Sequence, residues 1–221
     1  MTRRGCFITL EGLDGAGKST HLDWMAGWLR RAGLDLLCTR EPGGTPLGES
    51  LRELVLHQSM DLRTETLLMF AARNEHWRTV IRPALDQGRW VLCDRYTDAS
   101  FAYQGGGREL GPEPIRILED WVQQGQGPDC TFLFDVPLAV ARQRLQQGRE
   151  SADRFEREGA AFFERTRQAY HARVAADPAR FHVIDAQRGI ADIRATLEEA
   201  LQALLRAHHD RTPATRTGPT A

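Results

Sequence analysis

Lysine is almost missing from this chain: of 29 lysines and arginines, Lys18 is the only lysine. Asparagine is as scarce. Asn74 is the only one, and Glu75 follows it, so the NKxD string of a guanine-specific switch is not present. The four cysteines, Cys6, Cys38, Cys93 and Cys130, stand one to an apolar run, with no CxxC pair and no Cys/His ligand spacing; they read as buried, reduced thiols. No apolar run approaches the roughly 20 residues that span a bilayer, and the stretch near the start is too short for a signal sequence. A formal net charge of -1 gives no global attraction to nucleic acid or to acidic membranes, so any cationic site is local. These absences together predict a cytoplasmic protein with no membrane and no nucleic-acid partner.

A chain of 221 residues fits one well-buried domain. Five short apolar runs, at 6–11, 34–39, 90–94, 130–135 and 181–186, read as strands buried on both faces. Helical patterns fill the gaps, at 19–32, 47–58, 63–87, 112–124, 137–146, 157–176 and 190–208. Strands alternating with helices predict an α/β fold, a five-stranded parallel sheet with helices on both faces. Two segments break the rhythm. Residues 146–159 are polar and rich in both charges, which reads as a mobile surface lid; residues 209–221 have no apolar anchor and read as a disordered tail after a domain of 1–208.

"EGLDGAGKST" (11–20) satisfies GxxxxGK[ST] through Gly12, Gly17, Lys18 and Ser19, after an apolar strand and before an amphipathic helix. In such a loop the backbone amides wrap a triphosphate, Lys18 reaches its outer phosphates, and the Ser19 hydroxyl joins Mg²⁺. The expected ATP-binding set is Gly12, Leu13, Asp14, Gly15, Ala16, Gly17, Lys18, Ser19 and Thr20. The sole lysine falls where a compact ammonium fits and a planar guanidinium does not. Switches, motors and small-molecule kinases share this loop, so the acceptor has to be read elsewhere.

"LCDRYTDASFAYQGGGR" (92–108) starts at the carboxyl end of a strand, where open α/β sheets bind ligands. Asp94 could hold Mg²⁺ directly or through water, and Arg95 could clamp a phosphate. Ser100, Tyr103 and Gln104 recur on one helical face with hydrogen-bonding tips. The plainer alternative is a structural Asp94–Arg95 ion pair with Tyr103 in the core.

Taken together, "EGLDGAGKST", "TREPGGTPLGESLRELVL" (39–56), "LLMFAARNEHW" (67–77), "DRYTDASFAYQGGG" (94–107) and "DRFEREGAAFFERTRQAY" (153–170) resemble bacterial thymidylate kinase over nearly the whole chain except the tail. The resemblance implies a P-loop kinase fold, a homodimer, and transfer of the ATP γ-phosphoryl group to dTMP, giving dTDP for dTTP supply. It implies Arg52 and Arg95 on the acceptor phosphate, Phe70 stacked on thymine, and Arg73 and Gln104 at the base edge with Ser100 assisting. Tyr103 would crowd the 2′ position of the sugar, and Asp14 and Glu41 would lie near the sugar and the phosphate-metal region. One departure stands out: relatives place the stacking phenylalanine four residues before the arginine, where this chain has Met69, and Phe70 is three before Arg73.

The acceptor is itself mostly a dianion near neutral pH, so it needs no strong general base. Two polyanions must instead be held together against repulsion of about 4 kcal/mol per unit-charge pair at about 4 Å and an effective dielectric near 20. Some thymidylate kinases carry an arginine inside the phosphate loop, at the position that is Gly15 here. The resemblance is to the type in which a basic lid supplies that charge, and the lid segment holds Arg149, Arg154 and Arg157. Lys18, Asp14, Arg95, Arg149 and Arg154 are therefore the expected catalytic set, with Ser19 and Asp94 at the metal. Two rivals stay open at this point: a kinase of dUMP, UMP or CMP, and an ATP-dependent switch that performs no small-molecule chemistry.

Overall fold

The computed structural model describes residues 3–148, 154–155 and 157–210. The lid arginine Arg149 and the tail from residue 211 lie outside the described residues. Strands β1 (Phe7–Gly12), β2 (Leu36–Arg40), β3 (Trp90–Asp94), β4 (Cys130–Asp135) and β5 (Phe181–Asp185) form one parallel sheet in the order β2-β3-β1-β4-β5. Helices α1 (Lys18–Arg31), α2 (Pro46–His57), α3 (Leu62–His76), α4 (Arg82–Asp86), α5 (Thr97–Ser100), α6 (Pro112–Gln123), α7 (Leu138–Gly148), α8 (Ala160–Ala176) and α9 (Ile190–Asp210) connect and cover the strands. The expected α/β class and all five expected strands are present. The last helix runs two residues past the expected boundary at 208.

Strand β1 is buried along its whole length, because helices cover both faces of the sheet. Successive side chains point to opposite faces. Ile8 and Leu10 join Met25, Leu29, Leu197 and Leu201 in a core beneath α1 and α9. Phe7 points the other way, onto Trp77, Ile81, Leu85 and Val91. The edge strands β2 and β5 are only partly buried. The expectation of burial on both faces thus holds for the three central strands and not for these two, which have a neighbouring strand on one side only.

The helical pattern at 63–87 resolves into α3, a wider π-helical stretch at Trp77–Ile81, and α4. Pro83 gives the physical reason. It has no N–H to donate, and its ring would collide with the carbonyl four residues back, so the turn before it widens. A second π-helical stretch, Phe101–Gly107, follows α5 and lies against α8. The second stretch borders the cleft at the carboxyl ends of β1 and β3, through Tyr103 and Gln104. The winding switches there, since β1 leads past β3 to β2 whereas β3 leads past β1 to β4.

Candidate active site

The phosphate loop joins β1 to α1. Gly17 caps α1 at φ 89° and contributes no side-chain cap, and the first turn of α1 holds no acidic residue. The orphan N–H groups of that turn are thus left for an anion. Lys18 is buried on the floor of the loop, where its ammonium donates to the carbonyls of Gly12 and Leu13, each at 3.1 Å. Burial and the Arg95 guanidinium pull its pKa down to about 8, against the opposing pull of Asp14, Asp94 and Glu11. Gly15 sits at φ 80°, and a Cβ there would lie 2.3 Å from the Ala141 carbonyl of α7. No side chain fits at position 15, so the loop itself cannot carry an arginine.

Among the described residues a cation beside the loop is Arg144, which the sequence reading did not single out. It stands on α7, the helix that crowds Gly15, and donates from Nη2 to the Ala186 carbonyl at 2.9 Å. Its Nη1 would be 3.8 Å from a Cβ on Gly17. Arg144 lines a cleft of about 570 Å³ together with Asp14, Gly15, Lys18, Ser19, Thr20 and Asp94. That volume is of nucleotide-binding size. The available signal was weak: only the rule that the helix after the strand beside β1 returns past the loop.

Arg95 follows β3 in the left-handed region, φ 67°, which is rare for a residue with a side chain. Its guanidinium donates to the Gly12 carbonyl at 2.8 Å, to Asp14 at 2.6 Å and to the Tyr170 hydroxyl at 3.1 Å, and it lies over the Tyr103 ring. Burial alone would raise the Asp14 pKa, but Arg95, Lys18 and the Tyr103 hydroxyl hold it below the usual carboxylate range. Behind Arg95 stands Glu11, fully buried, accepting from the Tyr96 amide and from the Tyr170 hydroxyl, both at 2.7 Å. Burial, with Asp98 adding to it, pushes the Glu11 pKa up to about 7. The plainer alternative, an Asp94–Arg95 ion pair, is not what the structure holds: Arg95 pairs with Asp14.

A second cleft opens beside the loop, lined by Asp14, Glu41, Pro42, Arg52, Leu56, Met69, Arg95, Ala99, Tyr103, Gln104 and Phe155. Asp14, Glu41, Arg52 and Arg95 line both clefts. Three of the expected site residues, Phe70, Arg73 and Ser100, do not line the second cleft. Met69, not Phe70, lines the cleft; the Phe70 ring lies under the Arg73 guanidinium, packs with Phe101 and Ile115, and faces an outer groove with Leu67 and Trp121. Arg73 stands behind the wall, its guanidinium spent on Glu41 at 2.7 Å, Ser100 at 3.0 Å and the Tyr96 carbonyl at 3.2 Å. Ser100 turns toward Arg73, away from Tyr103 and Gln104. Ala99 of α5 lines the cleft with Tyr103, one helical turn on, and Gln104 beside it in the wider stretch that begins at Phe101.

Arg154 also departs from expectation. It is bound at the far end of the second cleft, donating to Glu65 at 2.5 Å and to the Val55 carbonyl at 3.1 Å, with its guanidinium over Phe155. It does not line the phosphate-loop cleft. Glu65 and Phe155 went unnoticed in sequence because a glutamate on an amphipathic helix and a phenylalanine in a polar segment carry no pattern.

A parallel sheet with a phosphate loop on its central strand, and a second arginine-walled cleft sharing that loop's wall, defines a P-loop kinase of small phosphorylated substrates. Residues 10–197 match the sequence profile of the family described as Thymidylate kinase. The chain is 62% identical over 204 residues to Thymidylate kinase of Bordetella petrii, covering 92% of this chain and 98% of that protein. It is 60% identical over 200 residues to Thymidylate kinase of Cupriavidus necator, covering 90% and 98%. The crystal structure of thymidylate kinase from Ehrlichia chaffeensis superposes with a TM-score of 0.73 at 33% identity, over 90% of this chain and 99% of that one. The chain belongs to the thymidylate kinase family.

Proposed function

We infer that the two clefts are the donor and acceptor subsites of one reaction: the chain transfers the γ-phosphoryl group of ATP to the 5′-phosphate of dTMP, giving dTDP. The observation that carries the subsite assignment is the shared wall of Asp14, Glu41, Arg52 and Arg95, which brings two phosphates end to end. Lys18, Arg144 and the α1 N-terminus take the donor phosphates, and Arg95 and Arg52 take the acceptor phosphate. Tyr103 lies under the sugar, Met69 against the base face and Gln104 at the base edge. None of these groups has to remove a proton, since the acceptor arrives ionised. Their work is charge cancellation and alignment.

Mg²⁺ suits the donor cleft. Asp94 Oδ1 is buried with no hydrogen-bond partner among the described residues, and the Ser19 hydroxyl lines the same cleft. One carboxylate and one hydroxyl, completed by phosphate oxygens and water, is the donor set this ion usually takes. When bound, it neutralises charge on the phosphoryl oxygens.

Two further readings belong here. An outer groove on α3 and α6 exposes Leu67 and Trp121 at 56% and 76%, and a second copy of the chain covers it in our reading, the homodimer that the family resemblance implies. No helix among the described residues is long and apolar enough to cross a membrane. The four free thiols, three of them buried, favour a reducing compartment, the cytoplasm.

A panel of dTMP, dUMP, UMP and CMP with Mg-ATP, read by ADP formation, tests the function. dTMP is expected to give the highest kcat/KM. Equal or faster turnover of UMP or CMP, or ADP release independent of any monophosphate, rejects the assignment.

A further inference from the structure

Glu65 stands on α3 outside both clefts, 1% exposed, and no part of the phosphate chemistry reaches it. Three donors converge on its carboxylate: Gln104 Nε2 at 2.8 Å, Arg108 at 3.2 Å and Arg154 Nη2 at 2.5 Å. With guanidinium groups beside it, Glu65 presents acceptors only. The group of the Gln104 side chain that faces it is therefore the NH₂, and a flipped amide would set oxygen against oxygen.

The consequence falls on the other end of that amide. Gln104 is fully buried and lines the acceptor cleft, yet its Oε1 has no hydrogen-bond partner among the described residues. A buried carbonyl oxygen left unpaired is costly, so one that borders a cleft marks a place where a ligand supplies the missing donor. At the base end of the cleft, lined by Leu56, Met69, Ala99 and Phe155, Gln104 thus offers one lone acceptor in apolar surroundings.

We propose that Glu65 is a specificity-determining positioning residue: by holding the Gln104 amide in one orientation, it makes the cleft demand a pyrimidine whose ring nitrogen carries a hydrogen. Thymine and uracil carry that N–H at N3. Cytosine has a bare, electron-rich nitrogen there, and two acceptors would face each other with no water between them. The selection works against cytosine and is indifferent to the 5-methyl group, so it predicts a particular pattern of discrimination. It rests on Gln104 lying at the base edge, as the proposed function places it.

The test compares wild type, Glu65→Gln, Gln104→Leu and the double variant by kcat/KM for dTMP, dUMP and dCMP at saturating Mg-ATP. Ratios of kcat/KM are insensitive to the fraction of folded enzyme, so any loss of stability cancels. In Glu65→Gln the new amide can accept as well as donate, and Gln104 gains the freedom to turn its NH₂ toward the cleft. The dTMP/dCMP ratio is expected to fall at least about tenfold, the equivalent of one hydrogen bond set right or wrong. The dTMP/dUMP ratio stays within about twofold, and the double variant falls no further than Gln104→Leu, because the two residues act in series.

A dTMP/dCMP ratio unchanged in Glu65→Gln, both ratios falling together, or losses that multiply in the double variant would each overturn the proposal. If Glu65→Gln yields no folded protein, Glu65→Asp is read in the same way, since it withdraws the carboxylate from Gln104 while keeping charge for the two arginines. A wild-type enzyme that turns over dTMP but accepts dCMP equally removes the Gln104 assignment beneath the proposal. One that fails with dTMP altogether rejects the functional reading instead.

Discussion

Arg95 shows how single residues are committed in this site. Its backbone is left-handed and its guanidinium bridges the phosphate loop to Asp14, so its position depends on what fixes the chain just after it. Glu11 does so, through the Tyr96 amide and the Tyr170 hydroxyl. The arrangement has a pH signature. An ordinary glutamate has a pKa of 4.5, and Glu11 in the fold is pushed up to about 7. Between those values the folded chain holds a proton that the unfolded chain has lost, so stability falls as pH rises through that window and levels off above about 7. The groups setting this are Asp98, which raises the value, and Arg95, Tyr170 and the Tyr96 amide, which lower it. Denaturant midpoints from pH 5 to 8 should drop more for wild type than for Glu11→Gln, by up to about 3 kcal/mol. Parallel curves for the two proteins would show that Glu11 does not titrate in this range. Residue identities at the site were legible in sequence where they stood in strings, as with Lys18, Arg95 and Tyr103. Met69 and Phe70 were not separable, because two adjacent apolar residues differ only in helix phase, and Arg73 on Phe70 decides it.

At the scale of elements, the sheet was legible and the local helix geometry was not. Strands covered on both faces leave long apolar runs, whereas the widening at Trp77–Ile81 and Phe101–Gly107 is a change of hydrogen-bond register that composition does not carry. Pro83 was the visible clue for the first. The connection between α7 and α8 holds the described residues Arg154 and Phe155. Arg154 ties it to Glu65 and to the Val55 carbonyl of α2, and this holds Phe155 at the rim of the acceptor cleft, edge-on to Tyr103 at 5.9 Å. An arginine used in this way governs how tightly the acceptor is enclosed more than how fast its phosphate reacts. Arg154→Met should therefore raise KM for dTMP by about tenfold while lowering kcat less than threefold. A collapse of kcat by the 10³ or more typical of a lost arginine finger, at unchanged KM, would return Arg154 to the phosphates.

At the scale of the whole molecule, the alternation of strand and helix was sufficient to give an α/β parallel sheet, but not the association state. The apolar stripe over 63–87 divides between core and surface, a division that sequence does not reveal. Trp77 and Ile81, in the stretch that follows α3, pack into the core, while Leu67 stays exposed beside Trp121 of α6. Sedimentation at micromolar concentration should give twice the chain mass, and Leu67→Glu combined with Trp121→Glu should halve it. A wild-type species of one chain mass, or a double variant that still pairs, would place the contact elsewhere.

The scarcity of lysine acquires a practical meaning once its position is known. The only side-chain amine the chain possesses lies on the floor of the donor cleft. Amine-directed acylating reagents, which scatter over the lysines of most proteins, find a single side-chain amine here, and their access to it is governed by whatever nucleotide occupies the loop.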